Sequence, residues 1–267
     1  MPEHIIPKTI HYCWFGRGEK PDIVKKCIGS WEDKLQDYDI VEWNEDNFDV
    51  NQIQYTKQAY AAKKYAFVAD YARIWVLKKY GGIYLDTDVE VLKPLDCFLD
   101  NKMFCGFESP TGVNPGLILG AQKNHPLLDE LLLFYHNNDY IDENGTINSY
   151  TTVQNMTNTL IKHGLILDCD RQQNIDGATI YPRITFCPSK YDRDKNIYST
   201  QTYTVHHYMA SWVSSGRLKK LQSPFWRFIY SILSKSGKIA KLLLGERRWI
   251  KIRNKYLKKL YNFSRGI

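Results

Sequence analysis

The chain has 267 residues, 43% of them hydrophobic and 24% charged, the composition of a globular protein long enough to bury a sizeable core. No apolar run reaches the roughly 18 residues that a membrane span needs, and Met1-Pro2-Glu3-His4 lacks the charged and apolar regions of a secretion signal, so none is expected. Six scattered cysteines without a Cys-x-x-Cys pair exclude a zinc ribbon and point to free thiols in a reducing compartment.

The net charge of +7 is unevenly spread. Residues 217–267 hold 15 Lys and Arg against one acid, Glu246, whereas the first 216 residues hold 21 basic and 28 acidic groups. This asymmetry places a boundary near Gly216, between a domain over 1–216 and a basic tail over 217–267.

In chain order, residues 5–15 read as a strand and 21–34 as a helix with Pro21 near its start. A second strand covers 38–43, closed by the polar turn Asn44-Glu45-Asp46-Asn47. Residues 57–80 form one long helix, apolar nearly all round, on which Ala66, Asp70, Arg73 and Leu77 share a face. Gly81-Gly82 ends it. Strands follow at 83–86, 88–92, 103–108 and 117–120, then a helix over 126–135. The segment 138–200 is turn-rich and carries no clear period, and 202–207 is a last strand. Strands alternating with helices imply an α/β domain with a mostly parallel sheet.

The most informative stretch is Tyr80-Gly81-Gly82-Ile83-Tyr84-Leu85-Asp86-Thr87-Asp88-Val89. A short apolar strand delivers Asp86 and Asp88 to its C-terminal end, where α/β sheets place their ligands. Residues i and i+2 of an extended segment point to the same side, and two like charges so held call for a cation between them. Carboxylate oxygens suit Mg²⁺ or Mn²⁺ with open positions for substrate phosphates. Asp70 and Arg73 read either as a self-satisfying ion pair or as a grip for sugar hydroxyls. In His206-His207 the two rings point to opposite sides of a strand, so one of them can serve as a further metal ligand. Trp14, beside Gly16 at a strand end, reads as core packing or as an aromatic shelf for a base.

Four ordered motifs carry a resemblance: Ile6-Pro7-Lys8-Thr9-Ile10-His11-Tyr12-Cys13-Trp14-Phe15-Gly16, Ala66-Phe67-Val68-Ala69-Asp70-Tyr71-Ala72-Arg73, Gly81 to Val89, and His206-His207-Tyr208-Met209-Ala210-Ser211-Trp212. In this order they resemble family 32 glycosyltransferases, the DXD-motif proteins of bacterial capsule and lipopolysaccharide clusters. These are related to yeast initiating mannosyltransferases and, distantly, to large clostridial glucosylating toxins. The resemblance covers residues 5–212. It implies a GT-A fold, Rossmann-like with a mostly parallel central sheet, and transfer of a hexose from a nucleoside diphosphate sugar, a UDP-hexose, with retention of configuration. It also implies roles. Trp14 would stack on uracil, Asp70 and Arg73 would bind the donor sugar, and Tyr84 would lie near the nucleotide. Asp86 would contact ribose and metal-bound water, and Asp88 would ligate Mn²⁺ or Mg²⁺. His207 fits the family's histidine, but Ala210 replaces the usual glycine and leaves the choice between His206 and His207 open. Trp212 would approach the leaving diphosphate, and Asn114-Pro115-Gly116 would line the acceptor side.

Two rival classes share these residues. Asp86-Thr87-Asp88 also resembles the nucleophile and acid/base of haloacid-dehalogenase-type phosphatases, although that motif belongs on a first strand and two strand candidates precede it here. A non-catalytic, membrane-associated sugar-nucleotide-binding protein is the other. In the tail, Trp249, Ile252, Tyr256 and Leu260 form an apolar stripe facing Lys251, Lys255, Lys258 and Lys259, which fits an amphipathic helix on an anionic membrane surface. Packing of that helix on the acidic body, or nucleic acid, would use the same charge; the membrane is preferred and nucleic acid is not expected. The resulting expectation is a cytoplasmic protein peripheral to the inner face of the membrane, acting on a glycan or lipid-linked oligosaccharide.

Overall fold

A computed structural model describes residues 4–148, 150–188 and 200–208. Its elements are β1 (Thr9–Cys13), α1 (Asp22–Lys34), β2 (Asp39–Trp43), α2 (Gln54–Ala61), α3 (Tyr65–Tyr80), β3 (Gly82–Tyr84), β4 (Val89–Val91), β5 (Met103–Ser109), β6 (Gly112–Val113), β7 (Leu119–Ala121), α4 (Pro126–His136), α5 (Thr152–Lys162), β8 (Gln173–Ile175), β9 (Ala178–Tyr181), α6 (Arg183–Phe186) and β10 (Thr204–His206). Trp212 and the basic tail 217–267 lie outside the described residues.

The strands assemble in the order β2-β1-β3-β7-β5-β9-β8, with β6 on β5 and a separate β10-β4 pair. β1 is parallel to β2 and β3, and β5 to β9, while β7 runs antiparallel to both β3 and β5. Five of the seven strands on the main path therefore run one way, with β7 and β8 reversed. The mixed α/β sheet is mostly parallel in direction, as expected.

Strand alternation buries both faces. On one, Tyr84, Met103, Cys105 and Leu119 meet Val68, Ala72 and Val76 of α3 and Leu128 and Leu131 of α4. On the other, Ile10, Ile83 and Phe104 meet Trp31 and Leu35 of α1, with Phe98 and Phe186. Between the layers, His11 accepts from Trp43 Nε1 at its Nδ1 (3.1 Å) and meets the Gly81 carbonyl at its Nε2 (2.9 Å). Burial lowers its pKa to about 4, so the ring stays neutral and serves as a strut. Gly82 is required beside it. Its φ is +103°, and a Cβ there would lie 2.7 Å from the Thr9 carbonyl oxygen.

Three expectations need correction. The helix over 57–80 is two helices, because Lys63 adopts a left-handed conformation (φ 56°) that α-helix cannot continue through. The strand over 117–120 shifts to Leu119–Ala121, and the strands at 83–86 and 88–92 shorten to three residues each. The unassigned segment contains α5, whose few apolar positions hid its period. Its start was legible: Thr151 and Gln154 form a capping box, with Gln154 N donating to Thr151 Oγ1 (3.2 Å) and Thr151 N to Gln154 Oε1 (2.9 Å).

Candidate functional site

Asp86 and Asp88 come together through a turn and not through strand alternation. β3 stops at Tyr84, after which Leu85 N still reaches the His11 carbonyl (3.0 Å) and Asp86 N reaches that of Gly116 (2.8 Å). Val89 N then donates to the Asp86 carbonyl at 3.0 Å, closing the turn and launching β4. Antiparallel pairing sets His206 of β10 opposite Val89. The His206 Nε2 atom stands 3.1 Å from Asp88 Oδ1, and donor atoms of Asp86, Asp88 and His206 all lie within 4.8 Å of one another.

His207 is not part of this group. Its Nε2 lies 2.8 Å from Glu90 Oε2, which also accepts from Lys26 at 3.0 Å. The alternation of neighbouring side chains sends the two rings to different carboxylates, and of the two it is His206 that lies with Asp86 and Asp88. The His206 side chain is 8% exposed, and its Nδ1 atom has no hydrogen-bond partner. Burial acts to lower the His206 pKa, yet hydrogen bonding and charge from Asp88, helped by Glu108 and Asp86, raise it. The corner thus draws positive charge. Two hard carboxylates and one imidazole suit Mn²⁺ or Mg²⁺ in donor type, so the residues fit the expected ion.

Next to the corner, α3 presents its buried pair. Arg73 Nη2 lies 2.9 Å from Asp70 Oδ1 and 3.2 Å from Asp86 Oδ1, joining the helix to the strand end. Its Nε donates to the Ala69 carbonyl (3.2 Å), and its guanidinium carbon sits 4.9 Å from the centroid of the Tyr84 ring. The Tyr84 hydroxyl in turn donates to Asp86 Oδ1 at 3.1 Å. Burial pushes the Asp70 carboxyl up to about 6, opposed by Arg73 and reinforced by Asp86. For Arg73 burial works against the charge, but Asp86, Tyr84 and Asp70 more than restore it, and the guanidinium stays protonated.

Gly116, which the resemblance set on the acceptor side, abuts the corner, and Cys13 escaped the sequence reading as a site component. A Cβ on Gly116 would fall 2.1 Å from Asp86 Oδ2 and 2.6 Å from Arg73 Nη1, so a side chain there would displace both. Asn114 Oδ1 accepts from Gly116 N at 2.7 Å, which makes Asn114-Pro115-Gly116 a prop for Asp86. Its glycine was the available signal. Cys13, fully enclosed, is pushed up to about 12 by burial and feels Arg73 and Tyr84; such a thiol is no nucleophile. No local pattern marked it.

Trp14 follows β1, whose parallel pairing with β3 brings their C-terminal ends to one side of the sheet. Its indole N–H donates to the Gly18 carbonyl at 2.7 Å, and the ring is half-buried.

A family profile described as glycosyltransferase sugar-binding region containing DXD motif matches residues 21–105, the stretch that holds Asp70, Arg73, Tyr84, Asp86 and Asp88. Over these residues the chain is similar to glycosyltransferase sugar-binding regions. Similar proteins are of two kinds. Inositol phosphoceramide mannosyltransferase 3 of Schizosaccharomyces pombe is 32% identical over 130 residues, 46% of this chain and 35% of that protein. The chain therefore spans about a third of that fungal relative's length. An uncharacterized glycosyltransferase of Acanthamoeba polyphaga mimivirus is 27% identical over 232 residues, 81% of this chain and 88% of the viral protein. Among solved structures, PaToxG Glycosyltransferase shares 20% identity, covering 59% of this chain and 69% of that one, with a TM-score of 0.46.

Proposed function

We propose that the protein is a GT-A-type glycosyltransferase that moves a hexose from a nucleoside diphosphate sugar, a UDP-sugar, to a glycan acceptor with retention of configuration. The observation that carries this reading is the convergence of Asp86, Asp88 and His206 on one corner, beside a buried arginine–aspartate pair. Bound there, Mn²⁺ or Mg²⁺ would act as a Lewis acid that makes the diphosphate a competent leaving group.

The chain's own groups account for the rest. Arg73, held charged and fixed by Asp70, Asp86 and the Ala69 carbonyl, is a preorganised donor toward negative charge that develops in the transition state. Asp70 offers a carboxylate to sugar hydroxyls, and Tyr84 orients Asp86 through its hydroxyl. Trp14 presents its ring face to a base, since Gly18 occupies its N–H edge. Trp212 would donate to the departing diphosphate. Among the described residues no carboxylate is assigned the role of a glycosyl nucleophile, and front-side attack, with the leaving phosphate taking the acceptor proton, is the mechanism this reading adopts. The tail 217–267 would hold the enzyme on an anionic membrane that presents a lipid-linked oligosaccharide, as in capsule or lipopolysaccharide assembly.

A donor panel tests the proposal. The protein with Mn²⁺ is incubated with UDP- and GDP-sugars, the latter included because the fungal relative is named for mannosyl transfer. One donor should release nucleotide, and Asp88→Asn should lower that rate by on the order of 100-fold while remaining folded. Release of phosphate from simple phosphomonoesters, or full activity in Asp88→Asn, would overturn it. Deleting 217–267 should free the protein from anionic liposomes; unchanged binding would remove the membrane role.

A further inference from the structure

A groove of about 700 Å³ lies between α4 and α5, and none of its lining residues belongs to the corner. That volume is within the range of roughly 300–1,000 Å³ typical of small-ligand sites. Amides dominate its polar lining: Asn137 and Asn138 after α4, and Asn155 and Asn158 one turn apart on α5. Its apolar part is the ring pair Phe134–Tyr150, with centroids 4.8 Å apart.

The hydrogen bonds of these amides are only partly used. Asn155 Nδ2 donates to the Leu131 carbonyl (2.9 Å), Asn158 Nδ2 to the Tyr150 hydroxyl (2.7 Å) and Asn138 Nδ2 to the Phe134 carbonyl (2.7 Å). Each bond fixes an amide in place; the exposed Asn138 and Asn158 keep further donor and acceptor capacity, while Asn155 is buried. The charged groups present neutralise one another, since Glu130 meets Lys162 (3.4 Å) and His163 (2.6 Å). Among the described residues Lys162 and Glu130 give the lining no net positive charge to hold an anionic ligand, and a purely apolar one would strip water from the amides without replacing it. A ligand with many hydroxyls, no charge and an apolar face satisfies both conditions.

We infer that the α4–α5 groove binds a neutral oligosaccharide. Resting on the sugar-transfer reading, this assigns the groove to a part of the acceptor glycan away from the reacting end. The opposite side of α5 is tied toward the corner, because Val113 N donates to Thr157 Oγ1 (3.0 Å) just before Asn114 and Gly116. One helix therefore serves both places.

The test uses the full chain on an array of neutral and acidic glycans, followed by calorimetric titration of the strongest neutral ligand. Wild type should retain at least one neutral oligosaccharide. Asn137→Ala/Asn158→Ala should bind it at least about tenfold more weakly, the loss expected from a missing hydrogen bond or two. Tyr150→Phe, which keeps the ring, guards against a folding artefact and should weaken binding less. Donor hydrolysis without acceptor should be unchanged in these variants, and Asp88→Asn should bind the glycan normally. Retention of acidic glycans alone, no retention, or affinity indifferent to the groove substitutions would overturn the inference. Groove-dependent binding in a protein that turns over no donor would leave the groove standing and sink sugar transfer instead.

Discussion

The Asp70–Arg73 pair and the Asp86–Asp88–His206 corner are neighbours that handle buried charge in opposite ways. In the first, a guanidinium with a 5% exposed side chain answers two carboxylates and a carbonyl from within the chain. In the second, Asp88 has an imidazole beside it that burial would keep neutral, and the local field pulls positive charge in. The contrast separates charge fixed by partners within the chain from charge that an outside cation can complete. A guanidinium held by internal partners is in place before any ligand arrives, and two acids beside one imidazole can take up a cation from outside.

The largest expected effect breaks the self-sufficient side. Arg73→Met leaves Asp70 and Asp86 without their common partner and should cost about 3–5 kcal/mol in urea unfolding. A loss below about 1 kcal/mol, typical of exposed ion pairs, would show that the pair is not the strut described.

The corner is sharpened by comparing its two histidines. His206→Ala should weaken Mn²⁺ binding, read from the Mn²⁺-induced rise in melting temperature, by at least about tenfold. His207→Ala removes a half-exposed contact with Glu90 and should leave that rise within a factor of about two. Equal effects would erase the assignment of His206.

Where the regions touch, Gly116→Ala forces a methyl group against Asp86 and Arg73 and should destabilise by about 1–3 kcal/mol while lowering nucleotide release. Wild-type stability and rate would mean the loop yields without cost.

The smallest effect is a pH slope. Asp70 has a folded-state pKa raised to about 6, above its ordinary value of 3.8, so the folded state holds its proton more tightly than the unfolded one. Its contribution is fullest below pH 4, declines as pH rises toward 6, and is constant above that. Asp70→Asn should flatten the stability profile between pH 4 and 6; an unchanged slope would mean that another group supplies it.

The i, i+3 pair on a buried helix and the α/β alternation were legible because each rests on local periodicity; the paired acids were legible only as a short motif, since a turn and not strand alternation brings them together. The α5 helix was not. In Thr152-Val153-Gln154-Asn155-Met156-Thr157-Asn158 polar side chains outnumber apolar ones, and only its cap announced it. The break at Lys63 was equally silent, since nothing in the chemistry of lysine signals a positive φ.

Sequence by itself determined which groups could hold a cation and roughly where along the strands they sit. Tertiary structure alone decided which histidine joins them, that β7 reverses between β3 and β5, and that Gly116 must have no side chain. Those outcomes depend on strand register between segments as far apart as Asp88 and His206, 118 residues in sequence, and register is set by packing across the sheet, not by near neighbours along the chain.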